Sequence, residues 1–116
     1  MQEIKKDTVS FSVSLTRPTF QKITLFVRYK KNETTPLRFG LQKGDGSWDF
    51  YFKEIKKEDL REMGEWKEGF IVFDITPEYI KKGNKLNILL SSPELSEKRE
   101  VITLSHIRVR LLRNPI

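Results

Sequence analysis

Apolar and polar side chains alternate strictly in stretch after stretch of this chain, and that period of two constrains the fold more than any other feature. Val9, Phe11, Val13 and Leu15 fall on one face of an extended segment, and Ser10, Ser12 and Ser14 fall on the other. The pleat of a strand has the same period, so each such stretch predicts a strand with one face in a core and the other in water. Ile23, Leu25, Val27 and Tyr29 alternate with Thr24, Phe26 and Arg28. Leu37, Phe39 and Leu41 alternate with Arg38, Gly40 and Gln42, and Leu86, Ile88 and Leu90 point inward from Lys85 to Ser92. In the last stretch, Val101 to Arg113, the phase slips around Ser105. Ile102 and Leu104 fit one parity and Ile107, Val109 and Leu111 the other, which is how one extra residue in a strand, a β-bulge, reads in sequence.

Turn signals separate the stretches. Gly44-Asp45-Gly46-Ser47 contains Asp-Gly, whose tolerance of positive φ suits a tight hairpin returning as a strand from Trp48 to Phe52. Lys30 to Pro36 reads as a loop, and Ser92 to Glu100, with Pro93 and its charges, as a solvated one. Thr76-Pro77-Glu78-Tyr79 places a capping hydroxyl before Pro, which predicts a single helical turn ending at Lys82-Gly83-Asn84. Lys53 to Gly64 is the one helical candidate, because Ile55, Leu60 and Met63 can share a face. Trp66 to Ile75 carries Phe70, Val72 and Asp74 on one side and Ile71, Phe73 and Ile75 on the other, so it is expected mid-sheet with both faces covered.

Composition agrees with sheet. The chain has 116 residues with eight Phe, three Tyr and two Trp, and it has no Ala, the best helix former and usual filler between packed helices. Seven or eight strands with turns between them predict an all-β fold, an antiparallel β-sandwich of jelly-roll type with at most one or two short helical turns, as a single domain over residues 1–116. No apolar run approaches the roughly 20 residues of a membrane-spanning helix, so no membrane partner is expected. Lys and Arg total 22 against 16 Asp and Glu, a net charge of +6, but the basic residues are scattered among acidic ones and read mainly as a solvated surface. The first residues lack the apolar stretch of a signal peptide, which is consistent with a cytoplasmic protein or with an internal domain of a longer secreted chain. Dense charge without Cys is compatible with a heat-loving source.

From Ile23 to Leu112 the order of signals resembles the galactose-binding-domain-like jelly roll of many carbohydrate-binding modules and accessory domains of glycoside hydrolases. The pieces are Ile23-Thr24-Leu25-Phe26-Val27-Arg28, the pair closed by Gly44-Asp45-Gly46-Ser47-Trp48, the strand Trp66 to Ile75, the turn Ile80-Lys81-Lys82-Gly83-Asn84-Lys85-Leu86, and Ile102-Thr103-Leu104-Ser105-His106-Ile107-Arg108-Val109. The resemblance implies sugar binding in many members, and in others binding of lipid head groups, nucleic acid or proteins, or the bracing of a neighbouring catalytic domain. Calcium-carrying relatives often place an Asp just before the last strand, where this chain has Ser105-His106. Calcium wants six to eight oxygen ligands, so a structural calcium is not favoured and no cofactor is expected.

Catalysis finds little support. There is one His, no Cys and no Gly-x-Ser-x-Gly elbow, and His106 falls within a strand. Acidic pairs such as Asp45 with Asp49, or Glu54 with Glu58, read as solvated rather than as a glycosidase pair. Sugar binding asks instead for aromatic rings beside hydrogen-bonding groups. The outward parities supply Arg28, Arg38, Gln42, Asp49, Tyr51, Asn87, Arg108 and Arg110, which form one polar face if their strands lie side by side, with Trp48 and Trp66 at strand ends as stacking platforms. The expected function is therefore a non-catalytic carbohydrate-binding or accessory module of a polysaccharide-processing protein, with a polysaccharide or oligosaccharide as partner. A structural or protein-interaction domain without small-molecule ligand is the alternative, and polyanion or nucleic-acid binding through the arginines ranks third.

Overall fold

A computed structural model describes residues 2–15, 20–45, 47, 52–81 and 83–113. Their strands are β1 (Gln2–Ile4), β2 (Thr8–Ser14), β3 (Phe20–Lys30), β4 (Arg38–Leu41), β5 (Leu60–Met63), β6 (Trp66–Asp74), β7 (Ile80–Lys81), β8 (Lys85–Ser91) and β9 (Ile102–Arg113). One sheet has five strands in the order β1-β9-β3-β6-β5, and the other has four, β2-β8-β4 with β7 also on β8. Every ladder is antiparallel. From β2 to β3 to β4, and again from β6 to β8 to β9, the chain crosses between sheets, the winding expected of a jelly roll.

The alternating stretches build the core between the sheets. Ile23, Leu25, Val27 and Tyr29 of β3 are buried, as are Leu86, Ile88 and Leu90 of β8 and Phe39 and Leu41 of β4. Val9, Phe11 and Val13 of β2 pack partly buried against them, with Ser10, Ser12 and Ser14 exposed opposite. Removing a Leu, Ile or Phe side chain from water contributes roughly 1.5–3 kcal/mol, so a small set of large residues can hold a domain that has no Ala to pack tightly with. The bulge falls where the parity slips: Arg28 pairs with His106 and Tyr29 with Leu104, leaving Ser105 without a partner on β3. It keeps Leu104 and Ile107 both turned inward and sends His106, Arg108 and Arg110 outward.

Four expectations are corrected. Lys53 to Gly64 is no helix: a 3-10 turn at Lys57–Asp59 leads into β5, and Gly64, at φ 65°, turns the chain back into β6. Ile55 packs over Gly69 of β6, and Leu60 pairs with Gly69 across the ladder, so their spacing serves a strand edge and not a helix face. β6 does lie inside the sheet, between β3 and β5, and buries Ile71 and Phe73, with Ile75 buried just past its end, but its other face is open, with Phe70 36% and Val72 37% exposed. The stretch from Ser92 to Glu100 is only partly solvated, because a one-turn helix, α1 (Leu95–Lys98), drives Leu95 into the core at 1% exposure. The turn at Thr76-Pro77 is a 3-10 turn over Pro77–Tyr79 that ends before β7.

β5 pairs with β6 only from Trp66 to Gly69, so among the described residues the edge of β6 beyond Gly69 has no strand neighbour on that side. There Lys53, which bridges to Phe39 of β4 through its backbone, donates from Nζ to the Val72 carbonyl at 3.0 Å.

Candidate functional site

The outer face of the five-stranded sheet is organised as rows of cross-strand neighbours. Arg61, Glu68, Arg28 and His106 form one row across β5, β6, β3 and β9. Phe70, Phe26 and Arg108 form the next, and Val72, Thr24 and Arg110 the one after. The two Phe rings lie 6.1 Å apart at 45° and make an apolar floor within an otherwise charged face. Residues directly opposite in a ladder stand close enough for their side chains to act together, which is why ladder register, more than sequence distance, assembles this surface.

A depression of about 260 Å³ opens over that floor, with Phe26 and Phe70 below and Asp59, Arg61, Glu68, His106 and Arg108 around it. Drug-sized ligand pockets run roughly 300–1,000 Å³, so this one accommodates a single ring of a ligand whose remainder lies along the surface. The Arg28 guanidinium packs over Trp66 at 5.3 Å from the ring centroid, and Lys30 Nζ lies 5.4 Å from it. Arg28 Nε is buried and stands 3.7 Å from Glu68 Oε1, close enough for attraction but beyond hydrogen-bond reach, and it has no other acceptor among the described residues. Trp66 is half-buried and already engaged by two cations, so it orients the arginine more than it offers a free stacking surface.

The residues expected to form one polar face divide between the two opposite faces of the sandwich. Arg28, Trp66, Arg108 and Arg110 lie on the five-stranded sheet. Arg38, Gln42 and Asn87 lie on the outer face of the other sheet, where Asn87 Nδ2 donates to Gln42 Oε1 at 3.0 Å and Arg38 Nε faces Glu54 Oε1 at 3.7 Å. Alternation tells outward from inward on each strand but does not tell which sheet the strand joins, and that is why the two groups looked like one. Trp48, Asp49 and Tyr51 fall outside the described residues. Phe26, Phe70, Arg61, Glu68 and His106 were not singled out as site residues; the available signal was the outward parity of Phe70, read above as a covered face.

A second concavity, about 290 Å³, lies at one end of the sandwich among Tyr29, Lys31, Thr35, Glu54, Leu60 and Lys67. Burial and then the nearby Glu62 carboxylate push the Tyr29 phenol above its ordinary value, so it stays a neutral hydrogen-bonding group. Burial and then the Lys67 charge lower Lys31. Lys67 faces Glu62 at 4.0 Å, so this end is in part occupied by its own ion pairing. Among the described residues no group of three His, Cys, Asp or Glu side chains could hold a metal ion, and no helix is long and apolar enough to cross a membrane. Comparison with protein-family models, with characterised proteins and with solved structures finds no match for the chain.

Proposed function

We propose that this protein is a non-catalytic glycan-binding module whose ligand lies on the outer face of the five-stranded sheet, over Phe26 and Phe70. The observation that carries this reading is the apolar floor of two tilted rings inside a charged surface, with Arg61, Glu68 and Arg108 at its margin. A pyranose has an apolar face of C–H groups and a rim of hydroxyls, and a small apolar platform surrounded by a few directional polar groups matches both. The open, shallow shape suits a polymer that passes across the sheet. The exposure of Phe70 and Val72 side by side also favours a second reading, in which the same face docks a neighbouring protein domain.

Affinity electrophoresis through gels containing plant and microbial polysaccharides tests it. The wild-type protein is retarded by at least one polymer, Phe70→Ala abolishes the retardation, and Arg38→Ala, on the opposite face, leaves it unchanged. Phe70 is surface-exposed, so the substitution should shift stability by no more than about 1 kcal/mol. Absence of retardation by every polymer sinks the glycan reading and leaves the docking one.

A further inference from the structure

We propose that the glycan taken by this face is an anionic one, its carboxylate or sulfate groups received by Arg61 and Arg108 while a sugar ring rests on Phe26 and Phe70. The proposal rests on the glycan-binding reading and narrows it to a ligand class.

The outward positions of β3, β5, β6 and β9 carry Lys22, Arg28, Lys30, Arg61, Arg108 and Arg110, against the acids Glu68 and Asp74. Both acids are already matched: Asp74 Oδ1 lies 3.9 Å from Lys22 Nζ, and Glu68 Oε1 lies 3.7 Å from Arg28 Nε. Glu65, in the turn before β6, is taken by Lys30 at 3.5 Å. Arg61, Arg108 and Arg110 have no carboxylate within 4.0 Å among the described residues. The unmatched cationic charge therefore sits on three guanidinium groups; two of them border the aromatic floor, where the Asp59 carboxylate, also without an ion pair among the described residues, offsets part of it.

Their placement matters as much as their number. Arg61 is on β5 and Arg108 on β9, with β6 and β3 between them, so three inter-strand spacings, about 14 Å, separate the two backbones across the floor. Arg110 extends the β9 side by two residues, about 7 Å further along the strand. A neutral glycan would leave these guanidinium groups facing only water, whereas acid groups on successive or alternate sugars of a polymer could meet them while a ring lies between. Arginine suits the task because its planar fork holds a carboxylate or sulfate through two parallel hydrogen bonds.

Matched polymer pairs test the class apart from the site: polygalacturonate against its fully methyl-esterified form, and dextran sulfate against dextran, in affinity gels with single-stranded DNA as a further arm. The expected result is retardation by the charged member of at least one pair and little by its neutral partner. The polygalacturonate arm reads carboxylate and the dextran sulfate arm reads sulfate. Arg61→Gln and Arg108→Gln each weaken that retardation about tenfold, the value of one charge-assisted contact, and Phe70→Ala weakens it as well. Both arginines are exposed, so their Gln variants keep the fold, which a thermal melt checks. Equal retardation by both members of each pair overturns the anionic class and leaves glycan binding standing. Retardation by none of these polymers overturns the anionic class, and glycan binding falls with it only if the neutral plant and microbial polymers of the previous test are also passed without delay. Retardation by DNA and dextran sulfate alike, unaffected by Phe70→Ala, overturns the site in favour of diffuse charge attraction.

Discussion

Asp7 stands in the short link between β1 and β2, yet it organises a segment far along the chain. Its Oδ1 accepts hydrogen bonds from the Ser96 backbone N–H at 2.8 Å and the Ser96 hydroxyl at 2.9 Å, and its carbonyl accepts from Ser92 N at 2.8 Å. These contacts tie down α1, whose flanking residues Glu94 and Arg99 adopt left-handed φ values of 66° and 55°. The Ser96 donors favour the ionised carboxylate and hold Asp7 below its ordinary 3.8. A depressed carboxyl binds its proton more weakly in the folded than in the unfolded chain, so its contribution is full above about pH 4–5 and disappears as pH falls through the lower folded value. Asp7→Asn, which keeps an acceptor but loses the charge, should therefore be less stable than wild type near pH 7. The gap in urea midpoint should close as the pH falls below the ordinary carboxyl value and through the lower folded one. A gap that stays constant across that range would mean the charge plays no part.

At the scale of elements, the bulge in β9 reconciles two phases of one strand. With Ser105 deleted, Leu104, His106, Ile107 and Arg108 would run in simple alternation, matching Tyr29, Arg28, Val27 and Phe26 across the ladder. The deletion of Ser105 should thus fold cooperatively, at a loss of no more than about 2 kcal/mol. Deleting Ile107 instead either turns Arg108 and Arg110 toward the core or, with the bulge closed, puts His106 in the inward place of Ile107, and a clearly larger loss in the circular-dichroism melt is expected. Equal behaviour of the two deletions would refute the register. The parity slip was legible because β3 to β9 alternation is strict on both sides of it. By contrast, Ile55, Leu60 and Met63 mimic a helical face, and only the packing of Ile55 on Gly69 and the β5 ladder, both long-range, decide otherwise. For the candidate site, outward parity marked Arg28, Arg108 and Arg110. The separation of Arg38 and Asn87 from them depends on sheet membership, which local pattern does not encode.

Across the whole molecule the sandwich presents two unlike outer faces: arginines and two phenylalanines on one, and on the other the serine row of β2 with the Asn87–Gln42 pair. The first strand closes the last, Gln2 pairing with Leu104, so both ends of the described chain belong to the same five-stranded sheet. On one side of that sheet β5 stops while β6 continues past Gly69, and among the described residues the backbone groups beside exposed Phe70 and Val72 have no strand partner there. An open edge of this kind is a template for pairing with another chain, and natural proteins often guard such edges with Lys. Lys53 does so here, with its ammonium on the Val72 carbonyl and its position over the Phe73 ring at 5.3 Å. Lys53→Met keeps the packing stem and removes the guard, and light scattering should then detect concentration-dependent self-association that wild type lacks. If the variant stays monodisperse, the edge is protected by other means. If Lys53→Met does self-associate, the ammonium on Val72 is a colloidal safeguard, bearing on how crowded a solution the protein tolerates rather than on what it binds.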